Sequence, residues 1–92
     1  MEYEVKNELK KYRTKLGISQ IELATEVNLK TSYYSKIETG KIIPSIKLGL
    51  MIRDAIKKLY KQKTGKELSK LSVDRLFLLE PKDEVEPGEI IK

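Results

Sequence analysis

SQIELATEVNLKTSYYSKIETG, residues Ser19 to Gly40, reads as two short helices joined by a tight turn. Ser19 with Glu22 three residues on forms a capping-box pattern, in which each side chain can satisfy an orphan amide at the helix start. Leu23, Ala24 and Val27 then make up one buried side. Asn28 stands where the chain must turn, and Asn is one of the few residues besides glycine that tolerates a left-handed backbone. The next helix is predicted over about Thr31 to Thr39, with Tyr34, Ile37 and Glu38 on one side and Ser32, Ser35, Lys36 and Thr39 pointing the other way. Gly40 is a natural stop.

Upstream, Val5, Leu9, Tyr12 and Leu16 recur at steps of four, three and four, which predicts a helix from about Tyr3 to Leu16 ended by Gly17. Downstream, Pro44-Ser45 starts a fourth helix with Ser45 as its cap. Ile46, Leu48, Leu50, Met51, Ile52, Ala55, Ile56 and Leu59 make this helix apolar on much of its circumference, so it is expected to be the central buried one. Gly49 inside it costs up to about 1 kcal/mol against Ala and hints at close packing by a neighbour. Thr64-Gly65 breaks the pattern, and Ser72 with Asp74 can cap a short fifth helix ending in Leu76-Phe77-Leu78-Leu79. Four consecutive apolar residues cannot all face one core from one helix, which favours a dimer interface here over simple core closure. Residues 80–92, with two Pro, one Gly and five acids, are expected to form an irregular tail, although Ile90 and Ile91 offer a docking point. The expected fold class is all-α: five helices in one domain over residues 1–79, followed by the acidic tail over 80–92.

Composition narrows the function. A chain of 92 residues supports one domain with a small core, for which dimerisation is a reasonable source of extra stability. There is neither Cys nor His, which removes thiolate nucleophiles, imidazole bases, the usual zinc sites and disulfides. No cofactor and no metal are expected, and no constellation of base, nucleophile or ligands points to an enzyme. No apolar run approaches the roughly 20 residues of a membrane span, and MEYEVKNELKK is too charged for a signal peptide. An intracellular, cytoplasmic protein with no membrane partner is expected.

The net charge of +5 is divided: residues 1–79 hold 17 Lys or Arg against 9 Asp or Glu, while residues 80–92 hold 2 against 5. A basic body attracts phosphate and releases counterions on binding, so affinity should fall steeply with salt. A solvated surface on a Lys-rich protein accounts for the charge equally well. The Gly-Lys pairs at 40–41 and 65–66 lack the upstream Gly of a phosphate-binding P-loop. Two short helices, a polar outer face on the second and a basic body together point to a helix inserted into the major groove of DNA.

From about Leu9 to Ile56, with LKKYRTKLGISQIELATEVNLKTSYYSKIETGKIIPSI at its start, the chain resembles the lambda-repressor and Cro-like (XRE-type) helix-turn-helix transcriptional regulators. LSVDRLF at 71–77 looks like the segment that often closes such domains, and TSYYSKIE is similar to the recognition helix of repressors that control developmental or phage genes in bacteria. The resemblance implies that Gln20 holds a phosphate through its side chain and the positive end of the helix dipole, the alternative being a solvent-facing first-turn residue. It implies that Thr31, Ser32 and Tyr33 open the recognition helix, with Lys36 one turn deeper, and that these residues read sequence. Hydroxyls can face several base edges, the Thr methyl and Tyr ring suit a thymine methyl, and Lys36 can reach guanine O6 or N7. Tyr33 also has a reading as a residue packed against its neighbours. Lys30 and Lys41 flank the helix and would neutralise backbone phosphates.

Arg13 falls on the apolar stripe of the first helix and Glu38 on the inward side of the third, where neither charge should be buried alone. The resemblance implies a buried Arg13 to Glu38 pair with a structural role. Two positions depart from the family pattern. Asn28 replaces the turn glycine, and Lys30, which cannot cap an amide, replaces the usual Ser or Thr cap; a start one residue later would make Thr31 the cap.

The leading expectation is a sequence-specific DNA-binding regulator, a repressor, acting as a homodimer on two half-sites about one helical turn apart. Its dimer contact would run through Leu76, Phe77, Leu78 and Leu79. Two alternatives stand beside it. One is an antitoxin that grips a protein toxin through the tail or the LFLL segment and binds its own operator. The other is a protein-interaction adaptor without DNA binding.

Overall fold

Capping and turn chemistry set the helix ends. In the computed structural model, which describes residues 3–68 and 70–81, the elements are β1 (Tyr3–Asn7), α1 (Leu9–Lys15), α2 (Gln20–Glu26), α3 (Thr31–Glu38), α4 (Ile46–Thr64), α5 (Val73–Leu76) and β2 (Phe77–Pro81). The capping box of α2 is complete: Ser19 Oγ accepts from the Glu22 amide at 3.0 Å, and the Glu22 carboxylate accepts from the Ser19 amide at 2.9 Å. Asn28 takes the left-handed conformation between α2 and α3, with φ of 59°. At α4 the Ser45 hydroxyl accepts from the Leu48 amide at 3.1 Å.

Every helix contributes a fully buried side chain to one core. Leu9 of α1, Leu23 of α2, Tyr34 and Ile37 of α3, Ile52 and Ile56 of α4 and Leu76 of α5 meet there, each worth about 1.5–3 kcal/mol by its removal from water. α4 is central on one side only. Ile52, Ala55, Ile56 and Leu59 face inward, whereas Ile46, Leu50 and Met51 are exposed. The close packing expected at Gly49 is not required: a Cβ there would meet Val73 Cγ1 at 3.6 Å and Phe77 Cε2 at 4.0 Å, both ordinary contacts.

The five-helix, all-α expectation broadly fits, with one addition: both ends of the described chain pair as a small antiparallel sheet with register Tyr3↔Pro81 through Asn7↔Phe77. The helix predicted from Tyr3 begins only at Leu9, so Val5 lies in β1 and not on a helical stripe. Asn7 is the physical reason. Its side-chain oxygen accepts from the Leu9 amide at 2.8 Å and its side-chain amide donates to the Ile37 carbonyl, so it ends the strand and starts the helix as a cap does.

The fifth helix likewise stops at Leu76, and the backbone from Phe77 onward joins the sheet. Leu76 is buried and Phe77 is half-buried against the core, so both help to close the fold, while Leu78 is exposed. The strand runs to Pro81, two residues beyond the expected domain boundary at 79. The Leu79 side chain and residues 82–92, with the expected irregular tail and its Ile90 and Ile91, lie outside the described residues.

Candidate nucleic-acid interface

α3 has two faces of opposite character. Tyr34 and Ile37 are fully buried, while Thr31, Ser32, Tyr33 and Lys36 are exposed on the outer side. Tyr33 is 42% exposed, so its ring is available to a partner rather than packed away. Lys30 is the cap residue and makes no side-chain cap hydrogen bond, and Thr31 is the first helical residue. The later start with Thr31 as cap is therefore not adopted. The positive end of α3 faces outward without a side-chain oxygen to neutralise it.

The segment after α3 folds back beneath it. The amides of Lys41 and Ile42 both donate to the Lys36 carbonyl, at 2.9 and 3.2 Å, which brings the Lys41 backbone beside that of Lys36 at the end of the helix. Lys30, Lys36 and Lys41 are exposed, and none is in an ion pair among the described residues. Lysines of α4 behave differently. Lys58 pairs with Glu26 at 2.8 Å and Lys63 with Glu22 at 2.7 Å, and Lys63 holds the Glu22 carboxyl below the usual range.

Behind α3 lies the polar network that aims it. Arg13 Nε donates to Glu38 Oε2 at 2.6 Å and Nη2 to Oε1 at 3.2 Å, while Nη1 donates to the Ile18 carbonyl at 3.0 Å. The Tyr34 hydroxyl donates to Glu38 Oε2 at 2.7 Å, and the Gln20 side-chain amide donates to Oε1 at 2.9 Å. The Arg13 and Glu38 side chains are only 10% and 2% exposed. Burial alone would raise the Glu38 pKa, but the hydrogen bonds from Arg13, Tyr34 and Gln20 hold it below the ordinary value. Arg13 is held more firmly protonated, chiefly by its hydrogen bond to Glu38, and burial followed by the adjacent carboxylate pushes the Tyr34 hydroxyl up. Among the described residues no buried side-chain nitrogen or oxygen lacks a partner. Such a pair is costly to break from one side, because the remaining charge is stranded in the interior.

The expected Arg13 to Glu38 pair is present, and the structure enlarges it. Gln20, read as a phosphate holder, is half-buried and drawn toward Glu38, so it belongs to the network whatever else it does. Tyr34 was legible as buried, but the role of its hydroxyl was not; its position four residues before Glu38 on one helix face is the signal that carried it. Asn7 was missed altogether. Its sequence signal was a cap-type residue just before the apolar run of α1, and its amide bond to the Ile37 carbonyl ties β1 to the end of α3.

Among the described residues no helix is long and apolar enough to cross a membrane. A search of curated proteins finds no match to this chain. Comparison with protein families matches residues 9–58 to the helix-turn-helix family, which takes in α1, α2, α3 and α4 as far as Lys58 and amounts to more than half of the 92 residues. With that match laid over two short helices, a left-handed Asn28 turn and an outward polar face on the second, the chain belongs to the lambda-repressor and Cro-like (XRE-type) helix-turn-helix family of DNA-binding transcription regulators.

Proposed function

We propose that this protein is a sequence-specific repressor that lays α3 in the major groove and acts as a homodimer on two half-sites about one helical turn apart. The observation that carries the reading is the contrast across α3: an exposed polar face, Thr31, Ser32, Tyr33 and Lys36, on a helix whose other face is locked by the Arg13, Gln20, Tyr34 and Glu38 network. A helix held rigidly before binding loses little entropy on docking, which favours affinity and register. Thr31 and Ser32 would offer hydroxyls to base edges, Tyr33 a ring to a thymine methyl, and Lys36 an ammonium to guanine. Lys30 and Lys41 would neutralise flanking phosphates as point charges. Gln20 would have two tasks, since an amide nitrogen carries two hydrogens: one goes to Glu38 and the other is left for a phosphate. The repressor direction is supported by the likeness of TSYYSKIE to recognition helices of that type, and the site of action would be the cytoplasm.

The test is selection of bound sequences from a random duplex pool, run in parallel with the variant Thr31→Ala, Ser32→Ala, Tyr33→Ala. An inverted-repeat motif that disappears with the variant is expected. Salt-sensitive binding without a motif would reduce the protein to a non-specific binder, and no binding at low salt would favour the adaptor.

A further inference from the structure

α3 is gripped in two directions at its last turn. The Glu38 side chain leaves the helix sideways, so the bonds it accepts from Arg13 of α1 and Gln20 of α2 resist rotation of α3 about its own axis. The carbonyl of the preceding residue, Ile37, points along the axis as helical carbonyls do, and it accepts from the Asn7 side-chain amide. That bond resists travel of α3 along its length. The Gly40 amide also donates to the Ile37 carbonyl, at 3.1 Å, but Gly40 belongs to the segment that α3 carries with it.

Asn7 is itself anchored on both sides. It ends β1 opposite Phe77 of β2, and the Glu8 amide extends that pairing by donating to the Leu76 carbonyl at 2.8 Å. Its side-chain oxygen is engaged by the Leu9 amide at 2.8 Å, which orients the side-chain nitrogen toward α3. One amide group thus serves two helices from a base in the terminal sheet. The cap alone does not require asparagine, since Asp and Ser cap a helix about equally well. What Asn adds to them is a donor, and here the donor is spent on α3.

We infer that Asn7 is a positioning residue for DNA recognition: it sets where α3 stands along its own axis, and so which base pair each of Thr31, Ser32, Tyr33 and Lys36 meets. The inference rests on the reading of α3 as the recognition helix. Contacts to base edges need their groups held to within about 0.5 Å, whereas a lysine on a flexible stem follows a phosphate through a small shift. Loss of the Asn7 donor therefore costs discrimination between sequences more than it costs affinity for DNA in general.

The experiment compares the full-length parent with Asn7→Ser and Asn7→Asp, which keep an oxygen for the Leu9 amide and lose the amide donor, and with Leu59→Ala, which removes buried bulk from α4 and leaves Asn7 intact. Affinities for the selected duplex and for a scrambled one are measured where circular dichroism shows every protein folded, together with amide hydrogen exchange along the chain. Both Asn7 variants are expected to lose about tenfold in the ratio of selected to scrambled affinity, with scrambled binding within about twofold of the parent. Their amides over 37–42 are expected to exchange faster while those of α4 do not change. Leu59→Ala is expected to melt lower with its ratio intact. Asn7→Ser is decisive, because Asn7→Asp also places a charge beside the Ile37 carbonyl: an unchanged ratio in Asn7→Ser would overturn the inference, as would an equal fall in Leu59→Ala, which is what lost stability alone produces. If the parent selects no motif, the DNA reading fails and exchange decides Asn7: acceleration confined to 37–42 sustains its grip on α3, while none, or one spread through the fold, removes it.

Discussion

The α2–α3 unit and the terminal sheet are held by different means. α2 and α3 are positioned by side chains: Arg13, Gln20 and Tyr34 converge on one carboxylate, and each bond has a required direction. The sheet is positioned by backbone pairing between β1 and β2, with Asn7 as its link to α1 and α3. The difference matches the task. Under the proposed function, a helix that presents a fixed set of side chains to DNA needs its orientation over-determined, while a ribbon that closes the core needs only register and an apolar face.

The largest test of this contrast removes one side of the polar network. Arg13→Met should lower unfolding free energy by about 3–5 kcal/mol in denaturant titrations, because Glu38 keeps its burial and loses its cation. Combining it with Glu38→Gln should cost clearly less than the sum of the two single changes. Undiminished stability in Arg13→Met would show that the network does not hold α3.

Leu76→Ala comes next, at about 2–5 kcal/mol, since Leu76 is fully buried beside α4. If that variant were as stable as the parent but no longer dimeric, the apolar run at 76–79 would be an interface after all.

Acid sharpens the comparison further. The Glu38 carboxyl is held below its ordinary value of 4.5 in the folded state, so the native protein binds fewer protons than the unfolded chain just under that pH. Its contribution is fully present above 4.5 and is lost as pH falls through the lower folded value. Melting temperature measured against pH should therefore drop in this window for the parent, and Glu38→Gln should flatten the drop.

Ser19→Ala, which removes the cap of α2, should cost about 1 kcal/mol in the same titrations. Smallest for stability is Lys41→Gln, expected within about 0.5 kcal/mol of the parent. Its effect belongs to binding: the slope of affinity against salt should fall by about one counterion.

The parts of this molecule that were legible in the chain are those written locally. The Ser19 and Glu22 capping box, the Asn28 turn and the Ser45 cap each depend on atoms a few residues apart, and the structure has all three. The inward set Tyr34, Ile37 and Glu38 follows from helical spacing alone, and the same spacing left the outer face of α3 as the candidate surface. What misled was periodicity at the ends. Val5 stands four residues before Leu9, as on a helix, and three of the four residues from Leu76 to Leu79 are leucine, a good helix former. Their actual conformation depends on each other across the whole length of the domain, and propensity yields to such pairing.

Residue type and spacing were enough for the helix-turn-helix and for the exposure of Ser32, Lys36 and Thr39, while the pairing of Arg13 with Glu38 and the placing of Thr31 and Tyr33 on the same outer face came from the family resemblance. Only the tertiary structure decided that Gln20 and Tyr34 join that pair, that the chain ends form a sheet, and that α4 leaves Ile46 outside beside an open groove at Gly49. Caps and helical faces are set by neighbours along the chain, whereas a hydrogen-bond network, a strand pairing and a groove exist only once distant segments share the same space.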